Sequence, residues 1–291
     1  MPGLVSIDLD QSRYSPCSTE RFDVPQFSAN FMYMFQEIPF WDRFQAAQSA
    51  GFRHVEHQFP YGEDKSTMWG YLQDFDLKMV LINAPAGDRA SGERGIAALP
   101  DRVDDFKESI IDALEWATAL KCPQIHIMSG IVGPGREDYA TAQYVDNLNF
   151  AAKLAESLDI TILIEPINGQ DVPGYLVQRT AQARAILAMI DAPNVALQYD
   201  AYHALMNDED PIEGLRANFD VIRHMQIAGY PGRHEPGSGT YDYNAFFEAC
   251  DMIGYGGVIG CEYVPETSTL DGLGWAFRYG ISAPRDQDAD D

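Results

Sequence analysis

Short apolar or β-branched runs alternate along the chain with longer stretches whose apolar residues recur every three or four positions. These are the periodicities of strand and helix. Residues 27–34 (FSANFMYM) predict a first strand, and residues 40–50 a helix that stops at Gly51, a residue suited to a helix C-terminus. Residues 53–57 (RHVEH) predict a second strand, 66–74 a helix and 78–83 (KMVLIN) a third strand. A loop rich in Gly, Pro and Asp follows, then a long amphipathic pattern over 100–120 and a fourth strand at 124–128 (QIHIM).

The second half repeats the scheme. Helical periodicity covers 139–158, 180–190 (with Thr180 as N-cap), 211–218 and 243–253. Strands fall at 160–165 (ITILIE), 195–200 (VALQYD), 222–227 (IRHMQI) and 258–262 (VIGCE). Eight strands alternating with helices imply a parallel sheet, and eight is the number that closes a (β/α)8 TIM barrel, an α/β fold. A doubly wound open sheet is the competing arrangement, but no glycine-rich phosphate loop follows any strand. The pattern divides the chain into an irregular N-terminal arm (1–25), a catalytic barrel (26–280) and an acidic tail (281–291) whose composition predicts disorder.

Composition narrows the function. Hydrophobic residues make up 46% of the chain, enough for one large core. No apolar run approaches the ~20 residues of a membrane-spanning helix. The N-terminus has no basic head followed by an apolar stretch, so no secretory signal is expected and the cytoplasm is the expected location. A net charge of −24 repels phosphate backbones and argues against nucleic-acid partners. It fits general solubility or adaptation to salt. Cys17, Cys122, Cys250 and Cys261 form no CxxC pair, so they read as inert thiols and not as a zinc site or disulfide framework.

Four polar residues end late strands: Glu165, Asp200, Gln226 and Glu262. In a barrel the C-terminal ends of all strands open on one face, where active sites are built, so these residues converge. A carboxylate that ends a strand alone reads more simply as a cap for the next helix; it is the coincidence of four that points to a site. Three carboxylates together, with no cation, would repel one another and raise their pKa values. A hard divalent ion relieves this, and oxygen ligands favour Mg²⁺ or Mn²⁺ over zinc.

The stretches IEPIN (164–168), QYDAYH (198–203), QIAGYPGRHEPGSGTYDY (226–243), GYGGVIGCEY (254–263) and NAPAGD (83–88), with ERGIAALP after it, resemble the hydroxypyruvate isomerase family. That family belongs to the xylose-isomerase-like TIM barrels, which include ketose 3-epimerases, and the resemblance spans roughly residues 27–278. It implies that Glu165, Asp200, Gln226 and Glu262 are metal ligands. It also implies that Glu165 and Glu262 exchange the substrate proton and that His203 and Arg233 touch substrate. The implied reaction interconverts hydroxypyruvate and tartronate semialdehyde through an enediolate; close relatives isomerise four-carbon 2-oxo sugar acids. A ketose 3-epimerase is the alternative within the same chemistry. The residues themselves agree: Asp200-x-x-His203 places an imidazole beyond a carboxylate, and Arg233 sits in a Gly/Pro-rich loop suited to a bidentate contact with a substrate carboxylate.

Further candidates are His57, which with Gln58 ends the second strand, and Asn83 at the end of the third. His57 reads either as a substrate contact or as a solvent-facing loop residue, and it departs from the apolar residues expected of the family there. Glu56 is a weaker pocket candidate. His126 and His224, inside apolar strands, read as core histidines, and His234 with Glu235 as residues that orient the Arg233 loop. Trp41, Trp116 and Trp275 read as core or interface, the latter compatible with a homo-oligomer. No Gly-x-Ser-x-Gly elbow supports a serine nucleophile. A metal-dependent endonuclease on this architecture would need a basic face, which the charge disfavours. A non-catalytic sugar-acid-binding barrel is the rival from another class.

Overall fold

The computed structural model describes residues 25–284. Eight parallel strands form a closed barrel in chain order: β1 (Gln26–Asn30), β2 (His54–Glu56), β3 (Lys78–Asn83), β4 (Gln124–His126), β5 (Thr161–Ile164), β6 (Val195–Asp200), β7 (Ile222–Ile227) and β8 (Val258–Cys261). β8 pairs with β1 through Phe27↔Ile259 and its neighbours, which closes the sheet. The protein is therefore a (β/α)8 barrel, with α1 (Asp42–Ser49), α2 (Lys65–Asp74), α3 (Val103–Leu120), α4 (Glu137–Glu156), α5 (Thr180–Leu187), α6 (Ala201–Met206), α7 (Pro211–Asn218) and α8 (Tyr243–Ile253) around it. Nearly all of the sequence expected as N-terminal arm, and the end of the acidic tail, lie outside the described residues. None of the described helices is long and apolar enough to cross a membrane.

Several strands are shorter than their apolar runs, and the ends of β1 and β2 bear on the site. β1 stops at Asn30, whose Oδ1 accepts the Met32 N–H at 3.0 Å while its carbonyl takes the Met34 N–H at 2.8 Å, folding Phe31–Met34 into a turn. β2 ends at Glu56, so His57 begins a loop. One helix was not legible as such: α6 starts directly after Asp200, whose side chain caps it by accepting the Tyr202 N–H at 2.8 Å. A side chain that reads as a strand-end carboxylate is thus also a helix N-cap.

The barrel interior holds a polar layer. Glu56 on β2 meets His224 on β7 at 3.0 Å, and Gln198 on β6 donates to the Gln226 Oε1 at 2.6 Å. The Gln226 Nε2 lies 3.4 Å from the Glu56 Oε2, linking the four. Strands β2 and β7 are not neighbours in the sheet, so their side chains can meet only inside it. Room for Glu56 comes from Gly260 on β8: a Cβ there would lie 1.9 Å from the Glu56 Oε1. His224 is accordingly the satisfied core histidine its apolar strand suggests, and Glu56 is its partner in the interior.

Candidate active site

Above that layer, at the C-terminal ends of the strands, three carboxylates and an imidazole converge. Glu165 follows β5, Asp200 ends β6, Glu262 follows β8, and His203 lies one helical turn past Asp200. One donor atom from each lies within 4.8 Å of the others, and all four residues are buried. Glu165, His203 and Glu262 line a cavity of about 300 Å³ whose wall also includes Gln58, Asn83, His126 and Arg233.

The electrostatics of this cluster are strained. Burial, then Glu262 and Asp200, push the Glu165 carboxyl well above the usual range. Burial raises Glu262 to about 8 and Asp200 to about 6, and Arg233 opposes both shifts. The Glu165 Oε1 and Asp200 Oδ2 are buried without a hydrogen-bond partner among the described residues. Glu262 is better held: Gln58 Nε2 donates to its Oε1 at 2.5 Å and Arg233 to its Oε2 at 2.8 Å. Buried anions this close together, with orphaned oxygens, fit a hard divalent cation, which supplies the missing partner and reverses the upward shifts.

His203 is a different kind of donor. Asn168 Oδ1 accepts the backbone N–H groups of Gln170 (3.0 Å) and Asp171 (2.9 Å), which fixes the orientation of its amide. The Asn168 nitrogen therefore faces His203 Nδ1, at 2.7 Å, and donates to it. Burial, then Arg233, hold the imidazole neutral by pushing its pKa well down. A neutral ring accepting at Nδ1 carries its proton on Nε2, which lies 3.7 Å from the Asp200 Oδ2. That N–H serves as a hydrogen-bond donor and leaves cation binding to the carboxylates.

Of the residues singled out in the sequence, Glu165, Glu262, His203, Asn83 and Arg233 line the cavity, and Asp200 closes the carboxylate group. Gln226 pairs in register with Asp200 but is fully buried, with its amide oxygen taken by Gln198. Arg233 does not offer a free fork. Besides Glu262 it approaches Asp171 at 3.6 Å, between the rings of Tyr33 and Tyr202, each 5.0 Å away. His234 and Glu235 do orient its loop, through Val264 O at 2.9 Å and the Glu266 N–H at 2.9 Å.

Two readings need correction. His57 is neither solvent-facing nor on the cavity wall: it is 7% exposed and its ring packs on Phe40 at 5.0 Å, while Gln58 reaches the site. His126 is not a satisfied core histidine. It faces the cavity 3.5 Å from the Glu165 Oε2, with both ring nitrogens unpartnered among the described residues. Its place at the end of β4 matches that of the carboxylates, so the barrel rule applied to them would have found it. Asn168 and Asp171 lie in the loop after β5, where no periodicity marks a polar residue as functional.

The barrel and its ring of carboxylates define a class that comparison with known proteins bears out. Residues 44–279 match the family described as "Xylose isomerase-like TIM barrel", and the chain belongs to it. Within that family the chain is hydroxypyruvate isomerase-like. It is 43% identical to a 2-oxo-tetronate isomerase of Cupriavidus necator over 88% of this chain and 99% of that one. It is 38% identical to the hydroxypyruvate isomerase of Escherichia coli over 87% of this chain and 99% of that one. A crystal structure from Brucella melitensis titled "AP endonuclease, family 2" superposes with a TM-score of 0.86 at 38% identity, covering 88% of this chain and 99% of that one.

Proposed function

We propose that this enzyme isomerises a small 2-oxo acid with a hydroxyl on C3, moving a proton between C3 and C2. The reaction would depend on Mg²⁺ or Mn²⁺ held by Glu165, Asp200 and Glu262, with Gln226 as a fourth ligand if its amide oxygen is released from Gln198. The observation that carries this reading is the group of three buried carboxylates at the cavity, two with orphaned oxygens. A bound divalent ion would polarise the substrate carbonyl as a Lewis acid and neutralise the carboxylates.

The chain's own groups account for the remaining steps. Glu165, whose Oε1 has no protein partner, takes the proton from C3. Glu262, entering the turnover protonated and held in position by Gln58 and Arg233, gives its proton to C2 while the hydroxyl proton passes from O3 to O2, and the two glutamates end with their protonation states exchanged. His203 Nε2–H donates to a substrate oxygen, and His126, held neutral because burial lowers it to about 3, faces the base without competing for its proton.

Hydroxypyruvate and 2-oxo-tetronate share the carboxylate, the C2 carbonyl and the C3 hydroxyl, and differ by one hydroxymethyl group on C3. Three relatives named for the four-carbon acid, at 43%, 41% and 39% identity, against 38% for the hydroxypyruvate isomerase, favour the longer substrate. A nuclease reading finds no support in a chain of net charge −24.

The test is to strip metal, restore Mg²⁺ or Mn²⁺, and follow hydroxypyruvate, 2-oxo-tetronate and neutral ketoses by NMR in D₂O. Metal-dependent turnover of either acid, with deuterium entering at C2 or C3, is expected. Turnover of neutral ketoses alone would replace the acid isomerase by an epimerase, and turnover in chelator would remove the metal from the mechanism.

A further inference from the structure

An acid substrate poses a problem at this site: its carboxylate must enter a cavity already lined with carboxylates. The cavity wall holds three cationic side chains, Arg89, Arg94 and Arg233. Arg233 is already engaged by Glu262 and Asp171. A substrate carboxylate bound there would have to displace one of them and leave it buried without its partner.

The other two arginines come from the loop after β3, and they pair with no carboxylate among the described residues. Arg89 stacks on Phe59, its guanidinium carbon 4.1 Å from the ring centroid. Arg94 Nη1 donates to the carbonyls of Glu93 (2.8 Å) and Arg89 (3.3 Å). Acidic residues are close at hand in the same loop but are committed elsewhere. The Asp88 carboxylate accepts from the Ala90 and Ser91 N–H groups and the Ser91 hydroxyl. Glu93 accepts the Asp88 N–H with one oxygen and pairs with Arg102 through the other. In a chain with 44 acidic and 20 basic residues, two adjacent arginines at a cavity mouth are thus left without an anion.

The loop that presents them is anchored. Gly95 bridges Ser129, where a Cβ would lie 2.4 Å from the Met128 carbonyl oxygen, and Ala98 N–H donates to the Ser129 carbonyl at 2.8 Å. Asn147 on α4 donates to Ala97 O at 2.7 Å. The stretch just after Arg94 is therefore held in place, and both arginines share the cavity wall with Tyr33.

We infer that Arg89 and Arg94 form the subsite for the substrate's carboxylate, opposite the Glu165, Asp200 and Glu262 cluster that acts on its oxygenated carbons. This rests on the 2-oxo acid reading above and assigns the acid specificity to the β3 loop, with Arg233 kept as the partner that positions Glu262. Guanidinium forks bind carboxylates directionally, and a charge-assisted contact of this kind corresponds to roughly tenfold or more in affinity.

The experiment measures, by calorimetry with Mg²⁺ present at low salt, the binding of glycerate and of glyceramide, its uncharged isostere. The ratio of the two affinities reads the carboxylate subsite without turnover. In the wild-type protein glycerate is expected to bind more tightly. The ratio is expected to fall roughly tenfold in Arg89→Gln and in Arg94→Gln, further in the double variant, and to recover in part in Arg89→Lys. Arg89 is exposed, so its substitution leaves the fold intact. An undiminished ratio in the double variant, or a collapse seen only in Arg233→Gln, would overturn the inference. Failure of the isomerase reading has a separate signature: arginine-dependent preference for glycerate in a protein that turns over no 2-oxo acid.

Discussion

Two buried polar clusters sit one above the other in this barrel, built from the same residue types. The lower one, Glu56–His224–Gln226–Gln198, is joined through hydrogen bonds at 2.6–3.4 Å, although the Glu56 Oε1 and Gln198 Oε1 have no partner among the described residues. The upper one, Glu165–Asp200–Glu262–His203, brings three carboxylates together and leaves the Glu165 Oε1 and Asp200 Oδ2 orphaned. A buried carboxylate with a hydrogen-bonded partner is costly to strand by removing that partner. Carboxylates facing one another are held there at the expense of stability, and that is the condition for binding a cation and moving a proton.

The largest effect expected from this contrast is on turnover. Glu165→Gln removes the base and should lower kcat by at least about a thousandfold. The same change should raise the melting temperature of chelator-treated protein, because a neutral amide replaces a carboxyl whose ionisation burial, Glu262 and Asp200 all oppose. A destabilised Glu165→Gln, or one that keeps substantial activity, would break the comparison.

The lower cluster predicts the opposite pattern. His224→Leu strands Glu56 in the interior, a loss of about 3–5 kcal/mol. At about 2–4 °C per kcal/mol for a chain of this size, the melting temperature should fall by roughly 10 °C. Metal affinity, measured by calorimetry on the folded protein, should stay close to the wild-type value. A melting temperature that does not move would mean that Glu56 and His224 are not coupled.

The smallest effect is in the pH dependence of the metal-stripped protein. Glu262, near 8, and Asp200, near 6, hold protons more tightly folded than unfolded. The folded state then binds more protons, and stability falls as pH rises from the unfolded carboxylate range toward 8. Thermal melts in chelator should decline over that window, and added Mg²⁺ should recover more stability at pH 8 than at pH 5. A stability that rises with pH across the same window would show that the carboxylates are not raised as described.

Periodicity alone was enough for the barrel. The alternation of runs such as KMVLIN and VALQYD with amphipathic stretches has one simple closed solution, because parallel strands must be separated by crossovers and their apolar faces covered. The carboxylates were legible for a related reason: a charged residue closing an apolar run stands out, and the barrel sends all such ends to one face. Tertiary structure decided the rest. Whether His126 or His224 faced the cavity depended on what lay across the barrel, and Glu56 lay across from only one of them. The partner of Arg233 depended on Glu262 and Asp171, far away in sequence. The proton on His203 was set by an Asn168 amide whose orientation comes from a turn. Local sequence shows roughly where each strand ends and which carboxylates lie there; the pairing of buried polar atoms is a contest among groups that meet only once the barrel has closed.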